Sequence, residues 1–321
     1  MTYNRYRVFA LGLAALASTP AHSQTLWKEP PPVSMSDWTW GPGGSESAPK
    51  PPFTFLKEKT DGTNPKIEIR DAANRVWVVK FGSEVHSDTF APRLLHVLGY
   101  AATSTYYVAE GTISEARGLK RAKYFVSKNG SFRNARFKLH HDDAAAGPKN
   151  TTWSWVDNPF VGSHELSGLK ILMMLTSNWD AKDSRDGNGE SNNSTIGRDW
   201  YAVTDWGASM GKTGGFFGRD RWDWIGYRAQ TAAFVRSAPG GNLVFGFKGK
   251  HGQDIAAGIR VEDVRWLLTY LSRVTDEGLQ AGLVASGASP AVAQEFASCI
   301  RARIGQLQRV ADSSTVERAA K

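Results

Sequence analysis

The chain has 321 residues, 41% of them hydrophobic and 22% charged, with a formal charge of +8 at pH 7. This is ordinary globular composition, long enough for one large domain or two modest lobes sharing a cleft, and the single cysteine, Cys299, leaves stability to an apolar core rather than to disulfides. The basic residues are scattered apart from the stretch EARGLKRAKYFVSKNGSFRNARFKLHH, which reads as a solvated face; no aromatic–basic motif accompanies them, so nucleic acid is not an expected partner.

Residues 1–23 have the layout of a secretory signal peptide. Arg5 and Arg7 precede the short apolar run VFALGLAALAS, and Ala21 and Ser23 stand at −3 and −1 of a cut before Gln24. The run is too short for a comfortable membrane span, so the expected product is exported, periplasmic or secreted, with no stable transmembrane segment after cleavage. Residues 24–52, with KEPPPVS and GPGGSESAPKPP, read as a Pro/Gly-rich tether whose Trp38 and Trp40 can dock on the domain.

Alternation and turn residues predict strands at FTFLKE, IEIRD and VWVVKF, a helix from Ser87 as N-cap through DTFAPRLLHVLGY, then strands at TSTYYVAEG and AKYFVS. Pro92 fits such a helix only near its start. The second half reads mainly helical: Ser163 caps HELSGLKILMMLT, a long polar loop and the short strand DWYAVTDWG follow, and helices are predicted at DRWDWIGYRAQTAAFVRS, VEDVRWLLTYLSRV, TDEGLQAGLVAS and SPAVAQEFASCIRARIGQLQRV. The expected division is a β-rich lobe over 53–127, a helical lobe over 128–310 and a polar tail over 311–321.

Five polar features fall between and within these elements. DGTNPK offers Gly62 for backbone approach to a phosphate and Lys66 for charge. Lys80 closes the third strand, and Glu84 and Asp88 follow at the head of the helix; either can pair with it. NWDAK places Asp180 just after a helix with Lys182 two residues on, and VTDWG places Asp205 after a short strand and before Gly207. In that order they match the parts that phosphoryl transfer uses: a loop over phosphates, a strand lysine held by a helix carboxylate, a base, and a metal-binding aspartate.

On the residues GTNPK, VWVVKFG, PRLLHVLGY, TWSWVDNPFVGSHELSGLKILMMLTSNWDAKD and YAVTDWGASMGKTG, the chain resembles uncharacterised exported bacterial proteins with a protein-kinase-like core. Its looser relatives would be the HipA-like and phosphatidylinositol-kinase-like branches. The resemblance implies an α+β, bilobal protein-kinase-like fold with Lys80, Asp180 and Asp205 at its functional positions. With it come a divalent metal (Mg²⁺ or Mn²⁺) and a nucleotide. It brings no established substrate; the partner is a phosphate-bearing small molecule, or an unknown protein or glycan.

One position departs from that pattern. A metal-binding Asn is due five residues after Asp180, and Arg185 stands there; a cation cannot ligate a metal, which leaves Asp186 or Asn188 as substitutes. Two functions follow: an atypical phosphotransferase, or an inactive binding protein that uses its W-x-W pairs to hold a glycan or protein. HHDD at 140–143 lacks metal-ligand spacing, and GASMG has the form of a nucleophile elbow around Ser209 without the sheet such an elbow needs.

Overall fold

The computed structural model describes residues 24–140, 151–187, 193–215 and 218–319. The signal-peptide expectation for 1–23 and the candidate ligand Asn188 therefore lie outside the described residues. Among the described residues no helix is long and apolar enough to cross a membrane.

The stretch expected to run as a tether lies against the molecule. Leu26 and Trp38 are buried, Thr25 and Trp27 bridge to Trp200 and Tyr100, and α1 (Met35–Trp40) starts at a capping box between Ser34 and Asp37. Its two tryptophans separate: Trp38 enters the helical core, while Trp40 stays at the surface.

Inward-facing apolar residues build the N-terminal sheet, with a register shift between Phe55 and Lys57. In β1 (Phe53–Lys59), β2 (Lys66–Arg70) and β3 (Val76–Phe81), Phe53, Ile67, Ile69, Trp77, Val79 and Phe81 are buried together. In β4 (Thr105–Ser114) and β5 (Ser131–Leu139), Tyr106, Ile113, Phe132 and Phe137 join them. Each such side chain contributes about 1.5–3 kcal/mol by leaving water. The strand order is β1-β2-β3-β5-β4, and a short parallel pairing of Phe53 with Ile113 and Thr54 with Ser114 returns β4 to β1.

That pairing closes the sheet into a five-stranded mixed barrel, and it overturns the expected bilobal protein-kinase-like fold. The chain is α+β, a closed barrel followed by a helical part, rather than a β-rich lobe facing a helical lobe. Closure removes the sheet edges an open lobe would leave. It depends on two residue pairs between segments some sixty positions apart, which periodicity does not report.

The fifth strand also differs from expectation. AKYFVS makes a single 3-10 turn, and the strand is SFRNARFKL within the basic stretch, so the barrel runs to Leu139 rather than 127. Basic residues on its outer face had masked the inward Phe132, Ala135 and Phe137.

Helix α2 (Ser87–Val97) packs on the outside of the barrel and contains Pro92. The carbonyl of Asp88, which a proline four residues on cannot engage, accepts from Thr105 Oγ1 at 3.1 Å instead. Ser87 is the first helical residue rather than the cap, and its hydroxyl is used elsewhere.

The helical part gathers around α3 (His164–Leu175), capped by Ser163, whose Oγ accepts from Leu166 N at 3.1 Å. Hairpin β6–β7 (Ser194–Ile196, Tyr201–Val203), α4 (Trp224–Thr231), β8–β9 (Val235–Ser237, Val244–Phe245) and α5 (Gly252–Ala256) follow. Then come α6 (Val261–Leu271), α7 (Asp276–Ala285) and α8 (Pro290–Ala319), the last continuing into the expected tail. The long helix expected from DRWDWIGYRAQTAAFVRS stops at Thr231 and gives way to β8. Leu169, Leu172, Leu267, Leu271, Phe296 and Ile300 share one core. Buried Arg303 of α8 donates to the carbonyls of Met174 and Leu175 and to Ser177 Oγ (3.3, 3.0 and 2.8 Å), which fixes where the chain leaves α3.

Candidate functional site

Lys80 lies on β3 between inward Val79 and Phe81, so its own side chain leaves the barrel toward α2. Register places it directly opposite Lys66 of β2 and Arg136 of β5, which makes a row of three cations on one face. Like charges so opposed repel. Carboxylates offset them: Lys80 Nζ is 3.1 Å from Glu84 Oε2, 3.0 Å from Asp88 Oδ2 and 3.9 Å from Asp205 Oδ1. The sequence left open which of Glu84 and Asp88 pairs with Lys80; both do. Burial disfavours the Lys80 charge, but Asp205 and Asp88 outweigh it and raise the ammonium's pKa. Burial likewise opposes ionised Asp88, and Arg136 and Lys80 overcome it, holding that carboxyl well below its usual range.

The segment after β7 is stitched to α2. Trp206 N donates to Asp88 Oδ1 at 3.2 Å, Ser87 Oγ donates to the Gly207 carbonyl at 2.8 Å, and the Trp206 ring is buried with Nε1 on the Val203 carbonyl. A side chain at Gly207 would meet Glu84 at 2.7 Å, so the close approach itself requires glycine there. Asp205 is the member of the network that faces solvent, with its side chain 43% exposed, and it accepts from Gly207 N at 3.0 Å.

Asp180 reaches the same place from α3. Fully buried Asn178 donates to the Asp205 carbonyl at 3.2 Å and accepts from Asp180 N at 3.3 Å; Lys182 Nζ lies 2.9 Å from Asp180 Oδ2. Asn193 completes the tie. Its Nδ2 donates to the Asp180 carbonyl, its N to the Lys182 carbonyl at 3.3 Å, and its carbonyl accepts from Thr204 N at 2.8 Å. Hairpin β6–β7 brings Asn193 and Asp205 together, since Ser194 pairs with Val203. With the amide nitrogen committed to Asp180, the Asn193 Oδ1 remains as a neutral oxygen, the hard donor type a divalent cation takes. Asn193 was not among the residues the sequence pointed to, since the metal-binding Asn was expected five residues after Asp180.

Arg185 and Asp186 go elsewhere. The Arg185 guanidinium is bound by Asp183 Oδ2 at 2.6 Å and Asp254 Oδ2 at 2.8 Å. Asp186 accepts from His251 Nε2 and pairs with Lys250, both at 2.7 Å. Burial works against its charge, and the Lys250 contact, the Asp183 N–H and His251 hold its pKa down at about 2. Asp183, Asp186 and His251 are close enough to share an ion, but Arg185 and Lys250 already sit on their carboxylates. Asp186 is therefore brought to His251 and α5, not to Asp205.

Lys66 Nζ pairs with Asp61 at 2.9 Å, and Gly62 has the left-handed φ of +68° that the turn needs. Arg121 clamps this turn through the carbonyls of Thr60, Gly62 and Thr63, and is itself fixed where Glu58 accepts from the backbone N–H of Lys120, Arg121 and Ala122. A second residue that the sequence did not single out joins the network: Arg221 Nη1 is 2.5 Å from Glu84 Oε1, and its guanidinium lies over the Trp179 ring at 5.1 Å.

Trp153 and Trp155 are buried, with their Nε1 atoms donating to the carbonyls of Ala202 and Ala181, so this pair is not free to stack on a glycan. His140 bonds Glu68 at 2.9 Å, and 141–143 lie outside the described residues. Ser209 is buried with no hydrogen-bond partner for Oγ among the described residues. No family model, no curated protein and no solved structure matches the chain.

Proposed function

We propose that the protein binds a phosphate-bearing ligand with a divalent cation at the Lys80–Asp205–Asp180 site and acts as an atypical phosphotransferase. The observation that carries this reading is Lys80, opposite Lys66 and Arg136 in one cation row and beside Asp205, with Asn178 bonded to both the Asp205 and the Asp180 segments. A cation row neutralises phosphate oxygens. Asp205 and the Asn193 Oδ1 would hold Mg²⁺ or Mn²⁺, which when bound shields the charge on the transferred group. Asp180 would accept the proton of an attacking hydroxyl, with Lys182 beside it to balance charge. A nucleoside triphosphate is the donor this site would take. The leader-like layout of residues 1–23 supports an exported location as part of the same proposal.

Calorimetric titration of the full chain with ATP and with inorganic tripolyphosphate, each with and without Mg²⁺ or Mn²⁺, tests the reading. Binding that Lys80→Ala abolishes and metal strengthens is the expected result. Absence of binding by either probe, or metal-dependent binding that survives Asp205→Ala, would sink it.

A further inference from the structure

Arg136 is buried, at 5% exposure, directly across the β3–β5 ladder from Lys80. Its Nη2 is 2.8 Å from Asp88 Oδ2, the same oxygen that Lys80 Nζ approaches at 3.0 Å. Its Nε and Nη1 are buried with no hydrogen-bond partner among the described residues. A guanidinium is normally kept in an interior for its fork of donors. Here two donors are left idle at a cost, so what the site uses is one N–H and the charge.

We propose that Arg136 is a positioning residue that acts through Asp88: it keeps Asp88 paired when Lys80 turns to a ligand phosphate. The proposal rests on the phosphate-binding reading given above. Asp88 is buried, and a buried carboxylate deprived of its cation is strongly disfavoured. Were Lys80 its sole partner, moving Lys80 toward a phosphate would strand that charge, and Lys80 would stay locked on α2. With Arg136 fixed on the same oxygen, Lys80 is free to leave. Glu84, which also holds Lys80, has a corresponding second cation in Arg221. Glu84 and Asp88 thus each keep a partner when Lys80 is withdrawn.

The test uses the full chain, with metal-free inorganic tripolyphosphate as the probe, in four forms: parent, Arg136→Gln, Arg136→Lys and the double variant Asp88→Asn/Arg136→Gln. Affinity is expected to fall at least about tenfold in Arg136→Gln. Arg136→Lys should stay within about threefold of the parent, because charge and one donor suffice. The double variant should recover most of the loss, since no buried carboxylate then claims Lys80. A purely structural Arg136 would lower thermal stability and weaken binding alike in the single and double variants, and that result overturns the proposal. So does an Arg136→Lys protein that binds as poorly as Lys80→Ala. If Arg136→Gln does not fold, the other two variants decide. If the parent binds no tripolyphosphate, the phosphate reading fails and a crystal structure of Arg136→Gln still tests this one. Lys80 Nζ should keep its contact with Asp88 and have moved beyond 3.9 Å from Asp205; an unmoved Lys80 overturns it.

Discussion

Asn193 donates its side-chain amide to the backbone carbonyl of Asp180, thirteen residues earlier in the chain. The bond does two things at once. It ties the loop that carries Asp180 to hairpin β6–β7, and it commits the Asn193 amide nitrogen, leaving Oδ1 as the side chain's remaining oxygen. Through Thr204 the same residue is one hydrogen bond from the strand that delivers Asp205.

Replacing Asn193 by Ala removes both effects. Apparent Mn²⁺ affinity, followed by the electron spin resonance of free Mn²⁺, is expected to drop about tenfold or more. Asn193→Asp should retain binding, since it keeps an oxygen ligand. Equal Mn²⁺ binding by parent and Asn193→Ala would show that the ion is not held here.

Arg185, which stands where a metal-binding Asn was expected, is paired with Asp183 and Asp254. Arg185→Asn is expected to leave metal affinity nearly unchanged and to cost about 1–3 kcal/mol of stability, because it strands the buried Asp183 carboxylate. Chemical denaturation and metal titration on the same variant separate the two effects; a metal affinity that rises on substitution would contradict the placement.

Gly207 lets the chain pass Glu84 at a distance that admits no side chain. Gly207→Ala should push Glu84 off Lys80, destabilise by about 1–3 kcal/mol and weaken phosphate binding. A variant with parental stability and binding would refute the close-approach argument.

Asp186 has a folded-state pKa of about 2, below the value of about 3.9 for an unfolded aspartate. A depressed pKa means that its contribution is complete above about pH 4 and is lost as pH falls toward 2. Asp88 is depressed as well and adds to the loss in the same acid range. Acid unfolding followed by circular dichroism should be less steep in Asp186→Asn than in the parent across that window. An unchanged profile would remove Asp186 from the linkage.

Local pattern determined a good deal by itself. Alternation in IEIR and VWVVKF marked the strands and put Lys80 at the end of the third; Ser163 marked the start of α3; and the order of Lys80, Glu84, Asp88 and Asp205 nominated residues that the fold brings near one another. These depend on contacts within a turn or along one strand, so a linear pattern carries them. Tertiary structure alone decided the rest. Barrel closure through Phe53 and Ile113, the arrival of Arg136 opposite Lys80, the tie from Asn193 to Asp180, and the capture of Arg185 by Asp254 all join residues far apart in the chain. Each is set by strand register or by which buried charge lacks a partner, and a charge has no preferred sequence distance to the group that neutralises it.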